Sequence, residues 1–137
     1  MRDIRFRAKR ISDGVWVQGQ VYEHCPPILC LEEQTEKSKW YIVRTAFADW
    51  GMERGVEYFE VDPATISQFT GETDKNGNDI FENDIVKMRG YSSPFKNSVV
   101  YFKGGKFAVD GTTYRFKDLV SKTYVVLGNI FDNKDLL

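Results

Sequence analysis

Three glycine-centred turn signals in the second half of the chain constrain its fold most strongly. They are Asn76-Gly77, Gly104-Gly105 and Asp110-Gly111. Such pairs favour the tight turns that connect antiparallel strands, because glycine tolerates the positive φ that these turns require. Turns at such short intervals predict a small antiparallel barrel.

The segment after the first turn adds a strand signal. In "ENDIVKMRG", residues 82–90, a polar turn is followed by an alternating strand that ends at a glycine. This pattern is typical of an entering strand in an SH3-like barrel. We therefore predict a mainly β protein with antiparallel strands, in which residues 67–137 form a C-terminal barrel subdomain with a short tail. The assignment of that barrel as SH3-like depends on the family resemblance described below.

Strand patterns also fill much of the N-terminal part. "IRFRAK", residues 4–9, alternates apolar with basic residues, and "GVWVQGQVY", residues 14–22, continues the alternation. "KWYIVRTA", residues 39–46, is a β-branched and aromatic run. These runs predict an N-terminal β-rich subdomain over residues 1–66. An α+β arrangement is the alternative there, because residues 46–55 fit either a helical turn or a loop.

A single helical turn is predicted near the boundary between the two subdomains. In "VDPATISQF", Asp62 is a suitable N-cap and Pro63 suits the first helical position. Thr65 and Ile66 disfavour a longer helix, because both are β-branched.

The stretch "TGETDKNGNDIFENDIV", residues 70–86, is rich in side-chain oxygens and raises the alternative of a calcium loop. An EF-hand loop needs glycine at its sixth position and glutamate at its twelfth. Counted from Asp74, those positions hold Asp79 and Ile85. Counted from Glu72, the glycine fits but the twelfth residue is an asparagine. Neither register completes a calcium site.

A hairpin turn fits the same stretch better. Asp74 at the first position can bond the backbone two residues on, and Gly77 at the fourth can adopt positive φ. The pattern predicts a three-residue hairpin loop with a bulge. A two-residue Asn76-Gly77 turn is the close alternative, although it would place Asp74 opposite Asp79.

Charge and composition argue against several classes of protein. Lys and Arg number 19 against 20 Asp and Glu, so the net charge of -1 does not favour binding of polyanions by bulk electrostatics. The chain has no apolar run of roughly 18 residues and no signal-peptide segment, which predicts a cytoplasmic protein without membrane contact. Cys25, Cys30 and His24 are too few to close a zinc site, so we predict free, buried thiols, no metal and no cofactor.

His24 is also the only histidine, and no nucleophile elbow or phosphate loop accompanies it. We therefore predict a protein that is not an enzyme. An enzyme that uses His24 or a pair of carboxylates is the alternative, because acidic pairs come together in space and leave no spacing to recognise.

The segment "SVVYFKGGKFAVDGTTYRFK", residues 98–117, predicts a three-stranded meander. Two-residue turns at its glycine pairs would place Phe102 opposite Phe107 and Val100 opposite Val109. Those residues share one apolar side, which we expect to face the core.

The other side of the meander carries a predicted basic row in which Lys103 lies opposite Lys106 and Lys106 opposite Arg115. The candidate binding residues are Tyr101, Lys103, Lys106, Arg115 and Lys117. Cations beside an exposed aromatic suit a single-stranded nucleic acid, since stacking and phosphate contacts need few residues. An acidic segment of a protein partner fits equally well. The alternative is a solvated face whose lysines block edge pairing.

Three segments together resemble the YopX family of phage and prophage proteins. The most diagnostic is "QFTGETDKNGNDIFENDIVKM", residues 68–88, accompanied by "IRFRAK" near the N-terminus and "VLGNIFDNKDLL" at the C-terminus. Asn83 stands where the family usually has glycine. The resemblance implies a β-rich protein with an SH3-like C-terminal part, encoded by a phage or prophage and acting in the cytoplasm of the bacterial host. It implies no catalytic residues.

We therefore expect a non-enzymatic accessory protein that works by binding an unknown protein or nucleic-acid partner. A homo-oligomer and a structural role in a particle or ring are left open, and a structural role would require extensive exposed apolar surface on the monomer.

Overall fold

The computed structural model describes residues 1–26, 37–46, 55–88, 97–109, 117–118 and 124–137, with only the backbone described at residues 88, 117 and 118. These residues belong to two compact units, one of Arg5–Ile66 and one of Met1–Ile4 with Ser67–Leu137. Apart from two short 3₁₀ turns, Pro63–Thr65 and Lys134–Leu136, their regular structure is β-strand. The predicted mainly β, antiparallel class is confirmed. Most of residues 46–55, where a helical turn or a loop was predicted, lies outside the described residues.

In the described part of the Arg5–Ile66 unit, four antiparallel strands form a sheet. They are β1 (Phe6–Lys9), β2 (Trp16–His24), β3 (Lys39–Thr45) and β4 (Val56–Glu60), hydrogen-bonded in the order β4-β3-β2-β1. The alternation of apolar and polar residues in β1 and β2 matches the two faces of this sheet. Ala8 and Val17 lie opposite each other, and both are buried.

One face of this sheet is the hydrophobic core of the unit. Its buried members are Ala8, Val17, Ile42 and Val61, against which Phe6, Val21, Trp40, Phe59 and Ile66 pack. Gly19 in β2 is required by this packing. A Cβ at that position would collide with the backbone carbonyl oxygen of Val43 and lie 3.0 Å from the side chain of Ile42. The close approach of β3 to β2 therefore depends on glycine.

The predicted helical turn at the end of the first unit is confirmed as a 3₁₀ turn. The Ala64 amide donates to the Asp62 carboxylate at 3.0 Å, and Pro63 opens the turn. The Thr65 hydroxyl donates to the Asp62 carbonyl at 2.7 Å and accepts from the Lys9 amide at 2.9 Å. These bonds fix the turn to β1.

Seven further strands lie among the described residues of the second unit. They are β5 (Ser67–Thr73), β6 (Asp79–Phe81), β7 (Asp84–Met88), β8 (Ser98–Lys103), β9 (Lys106–Val109), β10 (Lys117–Asp118) and β11 (Tyr124–Asn129). β5 pairs with β6, and the others form a sheet in the order β10-β9-β8-β7-β11, with every pair antiparallel. The core of this unit consists of Ile80 in β6 together with Val86, Val100, Val109 and Tyr124 of the five-stranded sheet, and Val126 packs against them. Among the described residues β10 and β11 are the edges, so the sheet is not closed into a barrel there.

The hairpin between β5 and β6 is built on Asp74, which is 1% exposed. The amides of Asn76 and Asn78 each donate to its Oδ1 at 2.8 Å. The side-chain amide of Asn78 donates to its Oδ2 at 3.1 Å, and the Val126 amide donates to the same oxygen at 3.2 Å. The Gly77 amide donates to the Asp74 carbonyl at 3.1 Å, and Gly77 has φ 85°. The predicted three-residue loop is confirmed, and the two-residue alternative is wrong.

The electrostatics of the Asp74 carboxyl agree with a structural role. Burial acts to raise its pKa, but the hydrogen bonds from Asn78, Val126 and Asn76 outweigh it, so the pKa lies below the ordinary value. The carboxylate is therefore charged at neutral pH, and its two oxygens accept four N–H donors. These contacts assign the side chains of Asp74 and Asn78, in the middle of the polar stretch of residues 70–86, to the architecture of the hairpin.

The turn between β6 and β7 depends on Asn83, whose φ is 68°. Its amide donates to the Val100 carbonyl at 2.8 Å, and its carbonyl accepts from the Ile130 amide at 3.0 Å. Its side-chain amide donates to the Ser67 hydroxyl at 3.1 Å. The left-handed backbone favours glycine, and asparagine is among the residues that tolerate it.

The C-terminal segment is held by asparagine side chains. Oδ1 of Asn129 accepts the amides of Phe131 and Asp132, each at 3.0 Å. Oδ1 of Asn133 accepts the Asn129 amide at 3.2 Å. A Cβ on Gly128 would lie 2.6 Å from Cγ of Asn133, so this network requires glycine there.

Candidate binding surface

Three of the five candidate binding residues lie on the β8–β9 hairpin. Tyr101 and Lys103 are in β8 and Lys106 is in β9. Arg115 lies outside the described residues, and for Lys117 only the backbone is described, at the start of β10. A two-residue turn at Asp110-Gly111 would pair Val109 with Thr112, but β9 pairs with β10 at Val109–Lys117 and Ala108–Asp118. The connection between the two strands is therefore longer than that turn, and the predicted facing of Lys106 and Arg115 is wrong.

The predicted register of the hairpin is confirmed. Phe102 pairs with Phe107, Val100 with Val109 and Lys103 with Lys106. The two-residue turn between them has φ 62° at Gly104 and 79° at Gly105. Positive φ at both positions is what a type I′ turn requires, so the Gly-Gly pair explains the register.

The apolar side of the β8–β9 hairpin is buried only at the end away from the turn. Val100 and Val109 are buried as predicted, but Phe102 is 53% exposed, so its assignment to the core is wrong. The reason is that β7 pairs with β8 at Ser98 and Val99, and β10 pairs with β9 at Ala108 and Val109. The turn end of the hairpin extends beyond these pairings. The Phe102 and Phe107 rings pack there edge to face, with centroids 5.1 Å apart.

The opposite side of the hairpin is covered at its base. Ala108 has no exposed surface, and its partner Tyr101 is half-buried. Lys103 and Lys106, nearer the turn, are exposed. The exposed aromatic of the hairpin is therefore Phe102 rather than Tyr101, and it lies on the side opposite to the two cations. We call Phe102, Lys103, Gly104, Gly105, Lys106 and Phe107 the hairpin tip.

A second surface with exposed rings was missed by the sequence analysis. It lies on the face of the Arg5–Ile66 sheet opposite to the core, where Tyr22 pairs with Tyr41 and Val43 pairs with Tyr58. Tyr22 is 47% exposed and Tyr58 is 62% exposed. The alternation within each strand was the available signal, but the pairing of β2 with β3 was needed to bring the rings together.

The residues considered for catalysis or metal binding are arranged as follows. His24 is exposed at the end of β2, where its Nδ1 lies 3.3 Å from the Tyr22 hydroxyl. Cys25 is an exposed free thiol whose sulfur accepts from the Ser38 hydroxyl at 3.6 Å, while Cys30 lies outside the described residues. The predicted burial of Cys25 is therefore wrong. Among the described residues no three His, Cys, Asp or Glu side chains are grouped as metal ligands would be.

Two ionisable side chains with shifted pKa values interact in the turn between β1 and β2. A hydrogen bond from the Arg10 guanidinium is the main cause that lowers the pKa of Asp13 to about 2, and the Val15 amide adds to it. The same contact raises the pKa of Arg10. The shifts are those of an ion pair that fixes a turn.

In the part of the chain that the structure describes, no helix has the length and apolar character needed to cross a membrane.

The paired strands and the Asp74 hairpin define an antiparallel, mainly β protein whose most distinctive motif is structural. A family model described as "YopX protein" matches residues 6–137, and the chain belongs to the YopX family. The resemblance carried by the three sequence segments is thereby confirmed. None of the curated proteins matches the chain.

The solved structures similar to this chain include the crystal structure of protein EF1440 from Enterococcus faecalis. The two chains are 23% identical with a TM-score of 0.54, and the match covers 100% of this chain and 99% of the other. At this identity the similarity concerns the fold.

Proposed function

We propose that this YopX-family protein is a non-enzymatic accessory protein, encoded by a phage or prophage, that works by binding a partner in the cytoplasm of the bacterial host. The proposed contact surface is the hairpin tip, on a C-terminal part that we propose to be an SH3-like barrel. Tip residues from two copies of the chain could also form the interface of a homo-oligomer, which sedimentation would detect.

The observation that carries the proposal is the exposure of Phe102 at the turn end of the hairpin, with a pair of facing lysines on the other side of the same two strands. Phe102 is 53% exposed although it pairs with another phenylalanine, and Lys103 faces Lys106 at the next position. An aromatic side chain of this kind anchors interfaces by filling a pocket of the partner, and flanking charges steer association. The chemistry suits a protein segment with an apolar pocket and acidic residues around it.

The engagement of the acidic side chains supports binding over catalysis. The carboxylates with lowered pKa values, Asp13 and Asp74, are held by an arginine and by backbone amides in turns. The Asp84 carboxylate accepts the Phe81 amide at 2.9 Å in the β6–β7 turn. An enzyme that uses His24 or a carboxylate pair is the competing proposal, and it predicts a pocket with a titratable group poised for proton transfer.

Fluorescence anisotropy tests the proposal with two kinds of labelled probe. The first is a glutamate-rich peptide with a cluster of apolar side chains against which Phe102 can pack. The second kind comprises single-stranded DNA, duplex DNA and RNA. The test variant is Lys103→Glu/Lys106→Glu. Two glutamates repel across the turn as two lysines do, so the melting temperature should not change. The matched control is Lys75→Glu/Lys134→Glu, which alters the net charge equally at two other exposed positions.

Loss of peptide binding in the tip variant but not in the control would support the hairpin tip as the contact surface. Loss of oligonucleotide binding with the same pattern would instead make the tip a nucleic-acid site. Equal binding by the tip variant and the parent would refute the tip as the partner surface and make its lysines a solvated face.

A further inference from the structure

The face of the Arg5–Ile66 sheet opposite to its core combines aromatic rings with cations. Strand pairing places Tyr22 opposite Tyr41, and His24 opposite Lys39. On β1, Arg7 and Lys9 point to this same side of the sheet. The other side of the same strands carries the buried residues Ala8, Val17 and Ile42. We call the first side the aromatic face and define it by Tyr22, Tyr41, Tyr58, Arg7, Lys9 and Lys39.

The rings of the aromatic face form a row at one end of the sheet. The centroids of Tyr22 and Tyr41 are 6.3 Å apart with the planes tilted by 35°. The His24 ring continues the row on β2, with its centroid 6.2 Å from that of Tyr22. Tyr58 on β4 is 62% exposed, and Tyr22 is 47% exposed. Exposed rings on adjacent strands offer several flat surfaces to one ligand.

Two of the three cations of this face, Arg7 and Lys9, lie over an aromatic side chain. The Arg7 guanidinium lies 4.8 Å from the centroid of the Trp16 ring, and the Lys9 ammonium lies 5.6 Å from it. Such stacking orders a long basic side chain and reduces the conformational entropy lost when it binds an anion.

The sign of the charge on the aromatic face differs from that of the chain. Its strand residues carry three cations, Arg7, Lys9 and Lys39, against one carboxylate, Glu60. The whole chain has a net charge of -1. A local excess of positive charge on a ring-bearing face is complementary to an anionic ligand with flat apolar groups.

We propose that the aromatic face binds single-stranded nucleic acid, with bases stacked on the tyrosines and phosphates contacted by Arg7, Lys9 and Lys39. A four-stranded antiparallel sheet with aromatic residues on neighbouring strands is a known general arrangement for stacking two or three bases. Duplexes keep their bases stacked internally, so the tyrosine rings would select single strands. An acidic peptide would use the cations but would leave the ring row without a matching group. This site is formed by β1–β4 and is independent of the hairpin tip proposed above.

Binding of labelled single-stranded oligothymidine, followed by fluorescence anisotropy, tests this inference with the full chain. If three cations contact phosphates, affinity should fall about 20-fold between 50 and 200 mM salt, roughly as expected for single strands. Tyr22→Ala and Tyr58→Ala should each weaken binding by roughly 5- to 150-fold through loss of a stacked base. Tyr22→Phe is the matched control, and it should bind nearly as the parent does because it retains the ring.

The outcomes separate this inference from the proposed function. Binding weakened by the alanine variants and retained by Lys103→Glu/Lys106→Glu would support the aromatic face whether or not the hairpin tip has a partner. Binding lost only in the hairpin variant would overturn the inference, as would equal affinity for duplex or no binding at low salt. Self-association of the parent that Tyr58→Ala abolishes, without oligonucleotide binding, would identify a second copy of the chain as the occupant and also overturn it.

Discussion

Replacing Asp74 by asparagine tests whether a carboxylate locks the β5–β6 hairpin. Oδ1 accepts two backbone amides at 2.8 Å, while Oδ2 accepts the Asn78 side chain at 3.1 Å and the Val126 amide at 3.2 Å. Asparagine keeps one acceptor oxygen, and its NH₂ group must face one of these pairs of donors. Two charge-assisted hydrogen bonds are therefore lost whichever way the amide turns.

The expected loss of stability follows from those two bonds. A hydrogen bond to a charged group contributes about 1.5–3 kcal/mol, which gives about 3–6 kcal/mol for two. Asn78 is exposed and its side chain can turn to water, so we expect Asp74→Asn to lower the free energy of unfolding by about 2–4 kcal/mol. That is a large part of the roughly 5–15 kcal/mol typical of a protein, and it would lower the melting temperature by roughly 5–15 °C.

Urea unfolding of the parent and of Asp74→Asn at a series of pH values measures this effect. The pKa of Asp74 is lower in the folded protein than its ordinary value of 3.8. Its stabilisation is therefore complete above that ordinary value and is lost as the pH falls through the lower folded value. The difference between the two proteins should shrink in that acid range.

The exposed Asp135→Asn provides the control, because it removes the same charge from a site without these bonds. A difference below about 0.5 kcal/mol at neutral pH would be no larger than that of an ordinary surface substitution and would refute the locking role. A difference that does not shrink in acid would refute the electrostatic reasoning.

Three further substitutions test the packing, each by chemical denaturation of the purified variant. Gly19→Ala should destabilise by about 3 kcal/mol or more, because its Cβ would collide with the backbone carbonyl of Val43, which cannot rotate away; near-parent stability would contradict this packing. Gly128→Ala should lower the free energy of unfolding by about 1–3 kcal/mol, since the Asn133 side chain must give up its hydrogen bond from the Asn129 amide to admit the methyl group. An unchanged denaturation midpoint would mean that this bond contributes little. Phe102→Ser should cost no more than about 1.5 kcal/mol, chiefly its ring pair, whereas a loss near that of a buried phenylalanine would return it to the core.

The parts of the fold that the sequence predicts correctly are those set by neighbouring residues. Asp74 and Gly77 fix their turn through bonds spanning four residues or fewer, and Gly104-Gly105 fixes the β8–β9 register through its own backbone. The Asp62 cap is equally local. Turn chemistry of this kind acts within a few residues, so a single sequence contains all that is needed to recognise it.

The order of the strands could not be derived in the same way. β11 at the end of the chain pairs with β7 rather than with its predecessor β10, and a register shift between Val126 and Gly128 interrupts that pairing. Neither fact leaves a local signal. Alternation also predicted the side of β8 on which Phe102 lies. Whether that side is buried depends on how far the neighbouring strands extend. The pairing of β7 with β8 ends before Phe102, which is therefore exposed.

The same limit explains why the sequence pointed to one binding surface and left the other unrecognised. Lys103 and Lys106 are separated by a two-residue turn, so their facing positions follow from the glycines between them. Tyr22 and Tyr41 are brought together by a connection without a tight-turn signal, and their pairing depends on the core contact between Val21 and Ile42 on the opposite face. Burial of that apolar pair therefore sets the register that aligns the tyrosine rings. A single-residue slip of β3 would bury Tyr41 and expose Ile42, so the hydrophobic core both stabilises this unit and determines the geometry of the aromatic face.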